Sequence, residues 1–141
     1  MSIWFNKQIA IDELNRRGRN TMSEFLGIEF IEIGDDFLTA TMPVNERTRQ
    51  PIGILHGGAN VVLAETVAST AANAVVDLSK FYCVGLEINA NHIRSVKEGM
   101  VTAITKPIHL GRTTQIWEIN LFNEEGKRTC ISRMTASVLS R

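Results

Sequence analysis

The stretch that decides the fold, residues 57–78, reads GGANVVLAETVASTAANAVVDL. It holds no proline, and Glu65 and Asp77 are its only charged residues. Small and apolar side chains fall on nearly every side of a helix drawn through it, without the polar arc that a surface helix shows. Such a helix belongs inside its own fold or against a partner. A helix of about 20 residues spans roughly 30 Å, so this one is long enough to centre the whole chain.

On either side the pattern changes to a period of two. Residues 28–33 and 37–42 alternate and are separated by Gly34-Asp35-Asp36, a hairpin signal. Past the helix, Val84, Leu86, Ile88 and Ala90 share one strand face, with Glu87, Asn89 and Asn91 on the other. Trp117, Ile119 and Leu121 repeat the pattern. Asn123-Glu124-Glu125-Gly126 reads as a tight turn, after which Cys130, Met134, Ala136 and Val138 line one side of the last strand. The order is a helix-poor N-terminus, a hairpin, the apolar helix, then four strands joined by short turns. Strands with one apolar face each need a cover, and only this helix is long enough to supply it. The expectation is an α+β chain, a single domain over residues 1–141, with an antiparallel sheet of about five to six strands wrapped around one long central helix. The outer face and edges of that sheet call for oligomerisation.

Composition narrows the function. The 141 residues carry 15 Lys and Arg against 15 Asp and Glu, are 44% hydrophobic and 21% charged, and have a pI near 6.8. A neutral chain is not built to coat nucleic acid or an anionic membrane. No apolar run exceeds four residues, and residues 1–19 mix acids and bases around a short apolar patch, so neither a spanning helix nor an export signal is expected. The expected location is the cytoplasm. Cys83 and Cys130 lie 47 residues apart and read as two buried, reduced thiols. The total charge conceals an asymmetry: residues 1–91 hold 7 basic and 11 acidic side chains, residues 92–141 hold 8 and 4. A small anionic ligand would be met locally, in the second part.

The familiar catalytic signatures are absent: GxGxxG, a phosphate-binding GKS or GKT, GxSxG and HExxH. His56, His92 and His109 are spaced by 36 and 17, without metal-ligand spacing, and no metal is expected. What remains is QPIGILHGG, from Gln50 to Gly58, running into the helix that carries Glu65. The first turn of a helix has unpaired N–H donors and a partial positive charge, so Gly57 and Gly58 leave an opening for an oxyanion, or simply a sharp turn. A carboxylate on a buried apolar helix costs several kcal/mol unless paired or hydrogen-bonded. Glu65 therefore serves chemistry or bridges to an arginine or a subunit interface. Eight residues, about 12 Å, separate it from Gly57, so one helix cannot bring both to one carbonyl. Two copies packed antiparallel across a two-fold axis can. Ser69 lies one turn beyond Glu65, placed to orient its carboxylate or a water.

Three segments in order, QPIGILHGGANVVLAET, VGLEINANHIRS and KPIHLGRTT, make the chain resemble the hotdog-fold acyl-CoA thioesterases over nearly its whole length. Within them it looks closest to the 1,4-dihydroxy-2-naphthoyl-CoA hydrolases of menaquinone synthesis and the proofreading thioesterases of enterobactin synthesis. The resemblance implies hydrolysis of an aromatic acyl-CoA without a cofactor. Glu65 would be nucleophile or general base and the Gly57 N–H the oxyanion donor, with Gln50 and His56 polarising the carbonyl. It places the CoA contacts at Gly85, at His92, Ile93, Arg94 and Ser95, and along His109, Leu110, Gly111, Arg112, Thr113 and Thr114. It implies a homotetramer, a dimer of dimers with shared active sites.

The same residues admit other readings. His56 fits a turn histidine, and each basic residue a solvated surface charge. An acyl carrier protein could present the thioester instead of CoA, and a non-catalytic acyl-CoA-binding subunit would keep the fold without the chemistry. Met22, Phe25, Leu26, Val62 and Val67 are the expected neighbours of the acyl pocket, with Asn73 altering its preference.

Overall fold

The computed structural model describes residues 1–141. The apolar helix is α3, Gly57–Ala74, and every residue from Ala59 to its end is buried or partly buried. Before it come two short helices, α1 (Ile11–Arg17) and α2 (Met22–Phe25), and the hairpin of β1 (Glu29–Ile33) and β2 (Leu38–Pro43). After it come β3 (Phe81–His92), β4 (Met100–Leu110), β5 (Thr114–Phe122) and β6 (Arg128–Ser140). The six strands form one antiparallel sheet in the order β1-β2-β4-β5-β6-β3.

The sheet curls over α3, which touches β2, β3, β4, β5 and β6. Alanines make that approach close: Ala64, Ala68, Ala71 and Ala72 have no exposed surface, and Leu63 and Val67 fill the space between. From the sheet, Leu38, Met42, Trp117, Ile119, Leu121 and Met134 meet them, all fully buried. The period of two in β5 and β6 is as expected. Buried Gln115 joins the layers: Trp117 Nε1 donates to its Oε1 at 2.8 Å, and its Nε2 donates to Ala72 O at 3.4 Å. The N-terminus closes the end of the core, with Trp4 buried and its indole donating to Gly34 O at 2.7 Å.

Two features of β3 depart from the sequence reading. It pairs with β6 rather than β4, so residues 93–99 cross the end of the sheet instead of making a short turn. A bulge between Gly85 and Glu87 also resets its faces. Cys83 lies inward, Val84 and Leu86 are exposed, and only Ile88 and Ala90 of the expected apolar face pack on the core. β3 is thus an edge strand of 12 residues with exposed apolar side chains and no proline or lysine to block pairing. One point of it is sealed. The Asn73 carboxamide accepts from Cys83 N at 2.9 Å and donates to Cys83 O at 3.1 Å, standing in for a neighbouring strand.

Asn73→Ala leaves both Cys83 backbone groups without partners and is expected to lower unfolding free energy by about 2 kcal/mol in urea titrations; an unchanged midpoint would show the clamp to be idle. Burial pushes both free thiols, Cys83 and Cys130, above their ordinary ionisation range. Folded protein at pH 8 should resist iodoacetamide at both and react at both in urea.

Candidate active site

The loop before α3 is fixed by its backbone. Leu55 N donates to Val96 O and His56 N to Thr48 O, both at 2.8 Å, which holds Gln50 beside the segment that follows β3. Gln50 Oε1 accepts from Ile52 N at 3.2 Å. His56 is the N-cap of α3: its Nδ1 accepts from Gly58 N at 2.8 Å, so the neutral ring carries its proton on Nε2. The Ala59 and Asn60 amides return to His56 O. Gly57 N–H, at the first helical position, has no carbonyl one turn back and remains open. His92, the last residue of β3, stacks its ring there; a Cβ on Gly57 would lie 2.9 Å from His92 Nε2. Gln50, Gly57, Asn60, His92, Arg94 and Ser95 border one cavity of about 360 Å³.

Glu65 is elsewhere. It is half-buried midway along α3, with its carboxylate over Gly85 of β3; a Cβ on Gly85 would lie 2.5 Å from Glu65 Oε1. Glycine here is a requirement of space. The arginine bridge that would make this carboxylate structural is absent, since none of the chain's ion pairs includes it. Ser69 does not bond to it and instead donates to Met134 Sδ at 3.6 Å.

The remaining expected residues divide between the two ends of the sheet. Ile93 N and Arg94 N both donate to Thr129 O, keeping Ile93, Arg94 and Ser95 at the His92 end with exposed side chains. His109 and Leu110 close β4 after a bulge, and Gly111 N donates to Thr114 O across a tight hairpin that exposes Arg112 and Thr113. That hairpin sits at the other end: Thr114 pairs with Ser137 and Gly85 with Ala136, whereas His92 pairs with Cys130. Six residues of β6, about 20 Å of strand, separate the Gly85 rung from the His92 rung. One chain therefore presents a helix-mouth group with Gln50, His56, Gly57 and His92, and a distant carboxylate group with Glu65, Gly85 and the hairpin.

A second cavity, of about 350 Å³, lies between the N-terminal helices and α3, where Thr66, Ser69, Thr70 and Asn73 face Leu14 and Phe30. None of Met22, Phe25, Leu26, Val62 and Val67 lines it. Met22 and Phe25 point to solvent and Val67 is sealed in the core. Asn73 does line it, but with its carboxamide committed to Ser69 O and Cys83. No three His, Cys, Asp or Glu side chains cluster to hold a metal ion, and no helix is long and apolar enough to cross a membrane. Asn60, which borders the same cavity as Gln50 and His92, was not singled out from the sequence; its only signal was a carboxamide in the first turn of an apolar helix.

A six-stranded antiparallel sheet curled round one long helix is the arrangement of the hotdog fold. The chain belongs to the Thioesterase superfamily, whose family model matches residues 52–130. It is 50% identical over 137 residues to 1,4-dihydroxy-2-naphthoyl-CoA hydrolase of Escherichia coli, covering 97% of this chain and 99% of that one. To proofreading thioesterase EntH of Cronobacter turicensis it is 44% identical, covering 97% and 98%. The crystal structure of a mutant thioesterase from Pseudomonas aeruginosa superimposes with a TM-score of 0.97 at 48% identity, covering 99% of this chain and all of that one.

Gly85→Ala puts a methyl group into the Glu65 carboxylate. The expected result is a loss of at least about tenfold in thioester turnover with the unfolding midpoint little changed; wild-type turnover would mean that the carboxylate need not lie there.

Proposed function

We propose that the chain hydrolyses an aromatic acyl-CoA, 1,4-dihydroxy-2-naphthoyl-CoA, to the free acid and CoA in menaquinone synthesis in the cytoplasm, at sites shared between two copies. The observation that carries this reading is Glu65, a half-buried carboxylate without a cation, on a helix whose oxygen-binding end is out of its reach. The substrate assignment rests on the 50% identity with the Escherichia coli hydrolase.

The open edge of β3 supports the dimer. A two-fold axis through the middle of β3 exchanges its Gly85 and His92 ends, carrying Glu65 of one copy toward the helix mouth of the other. The thioester oxygen then accepts from the Gly57 N–H, a donor of the kind that supplies roughly 3 kcal/mol in the transition state. Gln50 and His56 hold the carbonyl. Either Glu65 draws a proton from the water that attacks the carbonyl and returns that proton to the CoA sulfur as the C–S bond breaks, or Glu65 attacks it directly, expelling CoA as the thiolate and leaving an anhydride that water hydrolyses to the free acid and the regenerated carboxylate. In the dimer the hairpin from His109 to Thr114 of one copy approaches the segment from His92 to Ser95 of the other, giving CoA phosphates Arg94 and Arg112. Two such dimers form the tetramer.

A second reading, release of wrong acyl groups from an aryl carrier protein, is favoured by the 44% identity with the proofreading thioesterase. A panel of naphthoyl-, benzoyl- and straight-chain acyl-CoAs beside an aroyl carrier protein separates the two. The naphthoyl ester should have the highest kcat/KM; a preference for the carrier protein supports proofreading, and one for long aliphatic chains contradicts both. Glu65→Gln should bind substrate and lose turnover by about a thousandfold or more. Near-normal turnover in that variant would remove Glu65 from the chemistry.

A further inference from the structure

Asn60 has no evident structural reason to be a carboxamide. It is 5% exposed, in the first turn of α3, and its buried Oδ1 has no hydrogen-bond partner. Such an orphan destabilises the fold, which an apolar side chain at this position would avoid. Its one bond is to the site: Nδ2 lies 3.2 Å from His92 Nδ1. On the other side of the same ring, a Cβ on Gly57 would lie 2.9 Å from Nε2 and 3.2 Å from Cδ2 and Cε1. The imidazole is thus held between the Asn60 amide and the open end of the helix.

The amide orientation decides what the ring offers. With Nδ2 donating, Nδ1 is the acceptor and the neutral ring carries its proton on Nε2. His92 and Gly57 both border the cavity that Gln50 also borders.

We propose that Asn60 is a positioning residue: it fixes the tautomer of His92 and makes its Nε2–H a second donor, alongside the Gly57 N–H, for the thioester oxygen. This rests on the hydrolytic reading above and moves His92 from the CoA chain to the reacting carbonyl. Two donors at one oxygen hold the developing negative charge better than one. Losing a donor of this kind costs about a hundredfold to a thousandfold in kcat, and losing only its orientation costs less.

Nitrogen-15 NMR of the imidazoles in the intact, ligand-free protein tests the tautomer without reference to turnover. The expected wild-type result is Nε2 protonated and Nδ1 bare in His92, with Asn60→Asp reversing the two; a wild-type ring protonated on Nδ1 overturns the proposal. In hydrolysis, Asn60→Leu should lose about tenfold or more in kcat with KM within about twofold. Combined with His92→Ala it should add nothing to the loss that His92→Ala causes alone. A wild-type kcat in Asn60→Leu, or fully additive losses, would also overturn it. If Asn60→Leu does not fold, the wild-type tautomer decides. Retained turnover in Glu65→Gln would remove the hydrolytic reading and leave the tautomer measurement standing, so the two failures are distinguishable.

Discussion

A helix with no polar face has to be enclosed, and the rest of the molecule follows from enclosing α3. Six strands are curled over it at a distance set by its alanines, because a larger residue at Ala68 or Ala71 would hold the sheet off. The same closeness brings the backbone of Gly85 within reach of the Glu65 carboxylate. A side chain of chemical use is thereby kept partly dry, in contact with peptide and not with a neutralising cation. Low local polarity strengthens whatever electrostatic interaction a substrate makes there.

Enclosure also sets the division of the site. The mouth of α3 and the middle of α3 face opposite ends of the sheet, and no rotation of side chains joins them. On the proposed function, a single copy holds two incomplete halves: donors without a carboxylate at one end, and a carboxylate without donors at the other. The strand lying between them, β3, is an edge, with one side of its backbone unpaired by any neighbouring strand and apolar side chains exposed. The proposed pairing of that edge with itself would remove an aggregation hazard and complete the halves in one step.

Much of this was legible in the sequence, for identifiable reasons. The central helix, the strands of Trp117 and Met134, and the Asn123 turn are written in local periodicity, which burial enforces residue by residue. The buried thiols and the reach of Glu65 relative to Gly57 follow from spacing alone. The crossing of residues 93–99 and the bulge at Gly85 did not show, because strand order and register are decided by contacts far apart in sequence. The bulge is also why Val84 and Leu86, apolar and correctly alternating, face out. Asn60 and Asn73 look interchangeable on paper. In the fold one holds a histidine and the other seals a strand, roles that belong to their partners rather than to any pattern along the chain.

The central claim is that Glu65 of one copy works with the Gly57 end of another, and subunit mixing tests it most directly. Glu65→Gln and Gly57→Ala each disable one half, so each alone should be nearly inactive. Co-expressed, half of the dimers should be mixed, and each of those has one site with both halves intact and one with neither. The account predicts recovery to about one quarter of wild-type activity. Mixed dimers with no activity beyond that of the parents would contradict it, because a site contained within one chain leaves every copy defective.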